Sequence, residues 1–228
     1  MNECFIKEAL TYKCEDRDFP EWHRGRQRYA VWALEINNDA WQTELVNARK
    51  MLAKYLLAGE QRQAHVTLFA YGFYDESGND GVSPEVINTQ AEALKKRCFS
   101  PFKIHLSELR SFLSAPYFAI EDKTGTLGEI RSILSTYLNE DGISEGSINE
   151  NCINENSING KMSSEYQPHL TVGLYNDQYS SALLSEKLNE YKPERTPAVL
   201  INKISLMSFA THSVFSPLKT ELQLELNN

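Results

Sequence analysis

The sequence predicts an α+β fold: two pseudo-symmetric lobes, each an antiparallel-rich sheet with helices on its outer face, around a central cleft. Three observations carry that expectation. The stretch Gln63-Ala64-His65-Val66-Thr67-Leu68-Phe69-Ala70-Tyr71 recurs as Gln167-Pro168-His169-Leu170-Thr171-Val172-Gly173-Leu174-Tyr175, with Gln, His, Thr and Tyr at matching offsets. Both copies alternate with a period of two, so each reads as a strand with His, Thr and Tyr on one face and aliphatics on the other. The likeness also extends beyond the motif. Trp32-Ala33-Leu34-Glu35 resembles Phe118-Ala119-Ile120-Glu121, and Ile104, Leu109, Ser111 and Phe112 match Ile201, Leu206, Ser208 and Phe209.

In chain order, residues 1–27 read as an irregular lead-in punctuated by Pro20 and Gly25. Residues 28–36 form an apolar strand, and Asn37-Asn38-Asp39 supplies turn and cap chemistry for a helix over 40–57 that Gly59 ends. The first His-containing strand follows, then a Gly/Ser/Asp-rich loop and a helix that opens at Pro84 and runs to 98. Two strands flank the Ser114-Ala115-Pro116 turn, and a helix over 126–139 leads into residues 141–165, rich in Ser, Asn, Gly and Glu. Ala33 and His65 are 32 positions apart, whereas Ala119 and His169 are 50 apart, which marks 141–165 as an insertion loop in one half. The second His-containing strand, a helix over 178–191 and two closing strands complete a single domain of residues 1–228.

Composition narrows the partners. A net charge of −8 argues against a broad basic surface for long duplex nucleic acid, but it leaves room for a nucleotide or an RNA end in a local basic pocket. Arg24, Arg26, Arg28 and Arg62 are the arginines considered for such a pocket. No apolar run reaches about 18 residues, and the N-terminus lacks the basic-then-apolar pattern of a secretory leader. The expectation is a cytoplasmic, membrane-free monomer. Cys4, Cys14, Cys98 and Cys152 show neither paired nor metal-ligand spacing and read as reduced thiols.

The chemistry lies in the repeat. Residues i and i+2 of a strand project to the same side about 7 Å apart, so His65 with Thr67 and His169 with Thr171 are two short polar units. Histidine, with an ordinary pKa near 6.5, can act as base or acid at neutral pH. Two histidines flanking one phosphate could therefore take a proton from attacking water and give one to the leaving oxygen, while the threonine hydroxyls donate to non-bridging oxygens. This scheme calls for neither metal nor cofactor. Phe69, Trp32 and Tyr29 are candidates for stacking on a base, and Gly173 would leave room for one. Arg62 and Arg26 are candidates for further substrate contacts. His105 also has a hydroxyl two places on, but its repeat counterpart Asn202 does not, so it reads as structural, and His23 and His212 read as polar loop residues.

On His65-Val66-Thr67 and His169-Leu170-Thr171 with their aliphatic flanks, the sequence resembles the two-histidine (2H) phosphoesterase superfamily, the group that includes bacterial 2′-5′ RNA ligases and 2′,3′-cyclic phosphodiesterases. The resemblance spans residues 29–225 apart from the insertion, and residues 1–28 match nothing in it. It implies a bilobal fold with a cleft, metal-free cleavage of cyclic phosphates or 2′-linked diesters, the histidines as acid and base, and the threonines as phosphate ligands. The expected activity is hydrolysis of 2′,3′-cyclic phosphate ends of RNA or small nucleotides. The alternatives are cleavage of cyclic or 2′-5′-linked oligonucleotide signals, and a nucleotide-binding module without turnover.

Overall fold

The computed structural model describes residues 9–59, 62–74, 82–136, 166–193 and 196–227. The 141–165 insertion and most of the 75–83 loop therefore lie outside the described residues. The elements are helix α1 (Pro20–His23), strand β1 (Arg28–Glu35), helix α2 (Asp39–Leu52), a 3-10 turn (Ala53–Tyr55), β2 (His65–Phe73), α3 (Pro84–Arg97), β3 (Phe102–Ser111) and β4 (Pro116–Glu121). They continue with α4 (Thr126–Thr136), β5 (His169–Thr171), α5 (Ser181–Glu190), β6 (Val199–Ile201), β7 (Lys203–Ala210) and β8 (Lys219–Glu225).

Local chemistry sets the helix boundaries. Asn38, Ser83 and Ser180 cap α2, α3 and α5 by accepting from the backbone N–H of Trp41, Val86 and Leu183. Asp122 takes the Leu127 N–H at the start of α4. α2 stops five residues short of the expected end, because the chain tightens into the 3-10 turn and then leaves in extended form at Leu56, which bridges Tyr175.

Among the described residues eight strands join one sheet in the order β6-β3-β4-β5-β2-β1-β7-β8, with antiparallel pairing between neighbours. The order is symmetric about the β5–β2 contact. β1 mirrors β4, β2 mirrors β5 and β3 mirrors β7, the same pairs that the sequence repeat links. The third strand of each repeat has crossed over: β3 pairs with β4 of the second repeat, and β7 with β1 of the first. The two copies of the repeat are thus interlocked within one sheet rather than laid side by side.

Helices cover one face of the sheet, over a core that includes Trp32, Leu34, Trp41, Leu45, Val66, Leu68, Phe118, Leu170 and Leu206. The other face carries Tyr29, Val31, Phe73, Met207 and Phe209, covered by Phe19 of the lead-in and by Val214, Phe215 and Leu218. From residue 9 onward the lead-in is thus more than irregular chain. It is tied down by backbone bonds from Thr11 to Tyr179 and from Cys14 to Tyr175, and Trp22 packs on Tyr29 and Phe73. The expectation of reduced thiols fails at Cys14, which is disulfide-bonded, whereas Cys98 is free and exposed. Among the described residues no helix is long and apolar enough to cross a membrane.

Candidate active site

β2 and β5 touch at one residue pair, Val66 with Leu170, and diverge on either side. That register sets His65 across from Thr171 and Thr67 across from His169. Val66 and Leu170 point into the helix-side core, so the two histidines and two threonines share the opposite face. The histidines stand on a diagonal of this four-residue set, a separation of about 7–8 Å between backbones. They sit on adjacent strands of one sheet, not on facing half-sheets, and all four side chains are half-buried.

The tautomers are set by the backbone. Nδ1 of His65 lies 2.8 Å from the carbonyl oxygen of Gln63, and Nδ1 of His169 lies 2.8 Å from that of Gln167. A carbonyl can only accept, so each Nδ1 carries hydrogen, and Nε2 is the ring nitrogen at which each imidazole can gain or lose a proton. The repeated Gln thus marks the carbonyl that orients each ring. Gln63 is itself held, since its side chain accepts from Leu218 N–H at 2.8 Å and donates to Leu218 C=O at 3.1 Å. Burial, helped by the positive Arg62 and by His169, holds the His65 imidazole down to about 4 against the opposing pull of the Gln63 carbonyl.

Arg49, Arg62, Gln63, Ala64, His65, Thr171, Leu174 and Val214 line a small open cavity. Arg62 thus lines the cavity beside His65, without Arg24, Arg26 or Arg28. Arg49, which the sequence reading missed, reaches in from the last turn of α2 and donates from Nε to Val172 C=O at 2.7 Å. It fills a bonding position that the divergence of β2 and β5 leaves open. Arg131 on α4 does the corresponding thing on the other side, donating to Leu68 C=O at 3.1 Å, and Tyr166 Oη donates to Thr67 C=O at 2.9 Å. Leu68 and Val172 each lie three places after their histidine. An arginine in a helix carries no periodic signal of such a role.

The aromatic candidates need correcting. Trp32 is fully buried in the helix-side core, where its indole N–H donates to Gln90 Oε1 at 2.9 Å. Phe69 is 3% exposed in the same core, because a register shift in the β1–β2 ladder, where Trp32 pairs Phe69 and Ala33 pairs Thr67, turns it away from Thr67. Tyr71 follows it into that core and so does not share the histidine face. Tyr29 is on the correct face but is 1% exposed beneath Trp22 and Phe73. Arg26 is not among the residues lining the cavity. It lies 3.6 Å over the Phe73 ring and donates to the carbonyls of Trp22 and His23. Gly173 offers no room for a base, since an added Cβ would stand 3.1 Å from Leu56 Cδ1. The aromatic neighbours of the site are Phe112 and Tyr117, whose rings lie 4.9 and 5.4 Å from that of His169.

A family model described as the 2′-5′ RNA ligase superfamily matches residues 38–212. The chain belongs to that superfamily. Solved structures agree on the fold of this superfamily member. Escherichia coli LigT complexed with NADP+ superposes with a TM-score of 0.54 at 12% identity, covering 89% of this chain and 99% of that one. E. coli LigT complexed with 3′-AMP gives 0.51 at 12%, covering 90% and 100%. TT0787 of Thermus thermophilus gives 0.50 at 15%, covering 87% and 97%. No curated protein sequence matches closely enough to count as a relative.

Proposed function

We propose that the chain is a phosphodiesterase that opens a 2′,3′-cyclic phosphate at the end of RNA or on a small nucleotide, using two histidines and no metal. One observation carries this reading: His65, Thr67, His169 and Thr171 share one face across the β2–β5 contact, with each Nδ1 tied to a carbonyl so that Nε2 is the nitrogen that can exchange a proton. Family membership supports phosphoester chemistry, and the nucleotide in the E. coli LigT complex with 3′-AMP fits a nucleotide ligand here.

In the proposed step, Thr67 and Thr171 donate to the non-bridging oxygens of the cyclic phosphate. Water attacks phosphorus and gives its proton to Nε2 of one histidine. The bond from phosphorus to one ribose oxygen breaks, and that oxygen takes a proton from Nε2 of the other histidine. The products are a phosphomonoester and a free hydroxyl, and proton exchange with solvent resets the pair. We assign the base to His65, because it is the imidazole that its surroundings hold neutral, and the acid to His169.

The test is hydrolysis of a 2′,3′-cyclic mononucleotide in EDTA. Turnover should persist with chelator, and His65→Ala or His169→Ala should each lower kcat by about 10²–10⁴. Loss of turnover on chelation, or full turnover in either variant, would sink the proposal. Running 2′-5′-linked and cyclic oligonucleotides beside that substrate separates the linkages.

A further inference from the structure

The four motif side chains are arranged symmetrically, but their surroundings are not. Phe112 and Phe209 hold equivalent places in the repeat. Phe112 stacks on Tyr117 at 4.1 Å and borders His169. Phe209 instead lies beneath the Arg62 guanidinium, 4.3 Å from its ring centre, and the repeat position equivalent to Tyr117 is Val31. One end of the site is therefore aromatic, and the other is basic.

At the basic end, Arg49 and Arg62 line the same cavity as His65 and Thr171. Both are anchored through Nε to backbone carbonyls, Arg49 to Val172 and Arg62 to Ser216 at 3.1 Å. Anchoring one edge of a planar guanidinium reduces the rotamer freedom still to be lost on binding. Two guanidinium groups brought together beside a reacting phosphate suit a further anion, because charge-assisted bonds from arginine to phosphate are strong and directional.

We infer that Arg49 and Arg62 hold a second phosphate of the substrate, so that the preferred substrates are nucleotides or RNA ends carrying another phosphate beside the reacting one. This deepens the phosphodiesterase reading and rests on it. The second phosphate lies at the His65 end of the site, and Phe112 at the His169 end faces the rest of the nucleotide. Substrate thus enters in one orientation, although the catalytic set is symmetric.

Calorimetric titration of the full chain with three ligands tests this: adenosine 3′-monophosphate, adenosine 3′,5′-bisphosphate, and a diadenosine dinucleotide ending in a 3′-monophosphate. The wild type should bind at least one of the two-phosphate ligands about tenfold or more tightly than the monophosphate, a step of about 1.4 kcal/mol. Preference for the bisphosphate identifies a terminal phosphate, and preference for the dinucleotide identifies the diester of an RNA end. In Arg49→Gln and in Arg62→Gln the ratio of affinities should fall toward one. Equal wild-type binding of all three ligands, or variants that weaken every ligand alike, would overturn the inference. Should one variant fail to fold, the other and the wild-type ratio still decide. Turnover without a second-phosphate preference counts against this inference alone, and a preference without turnover counts against the proposed hydrolysis alone.

Discussion

Each imidazole is oriented by a carbonyl two residues before it, so the tautomer is set by backbone rather than by a carboxylate partner. The consequence for pH is specific to His65. Its ordinary value is near 6.5, and burial, with Arg62 and His169, holds it down to about 4 in the folded chain. Between those values the unfolded chain binds the proton and the folded one does not. The stabilising contribution of neutral His65 is therefore fully present above about pH 6.5 and is lost as pH falls toward 4. For catalysis the same shift keeps the base available in mild acid. The acid limb of kcat/KM should fall near pH 4, and Arg62→Gln, which removes a positive neighbour, should move it toward neutrality. A wild-type limb at 6.5, or one that stays put in the variant, counts against His65 as the base. Thr67→Val and Thr171→Val should lower kcat by about 10²-fold each with little change in melting temperature, since loss of one donor to developing charge costs on that order. Stopped assays over a substrate series would show it.

At the scale of elements, strand faces decide which side chains enter the site, and irregularities in the ladder decide the faces. His65 and Thr67 were legible because period two holds locally. Phe69 and Tyr71 were misplaced because a register shift in the β1–β2 ladder leaves no trace in the pattern of apolar residues. Trp32 was misread for a different reason: an aromatic in an apolar strand serves either face equally well, and here it serves the helix side. Arg49 was missed because its role depends on how far two strands diverge, which is a tertiary property. A second irregularity, between Ala30 and Val31 of β1, places Gly72 at φ 135 with Val82 3.3 Å from where a Cβ would stand. Gly72→Ala should therefore destabilise by about 1–3 kcal/mol, read from urea unfolding, through strain at a conformation that L residues avoid. An unchanged midpoint would show that the local backbone relaxes at no cost.

Across the whole molecule, the duplication and the α+β class were legible in the sequence, while the crossing of the third strands was hidden. Residue likeness pairs β3 with β7, but it is silent on which neighbour each one bonds. That crossing predicts how the chain comes apart. β1 draws its second partner from β7, and β3 draws its pairing from β4 and β6, so a fragment ending after residue 112 would leave both unsatisfied. Such a fragment should lack cooperative unfolding by circular dichroism, whereas the whole chain should unfold in one transition. A fragment that melts cooperatively by itself would contradict this view of the fold.

The crossed strands also say what kind of object this chain is. Each repeat alone supplies one His-x-Thr and a sheet that must borrow its last strand, so the turn near residues 112–115 joins two units that could otherwise complete each other only as partners. In topology the chain is a strand-exchanged dimer written into one polypeptide, with its two His-x-Thr units on either side of the pseudo-two-fold between β5 and β2. A single chain lets the two sides of that axis differ. Arg62 over Phe209 on one side, and Phe112 stacked on Tyr117 beside His169 on the other, are differences that two identical subunits could not hold.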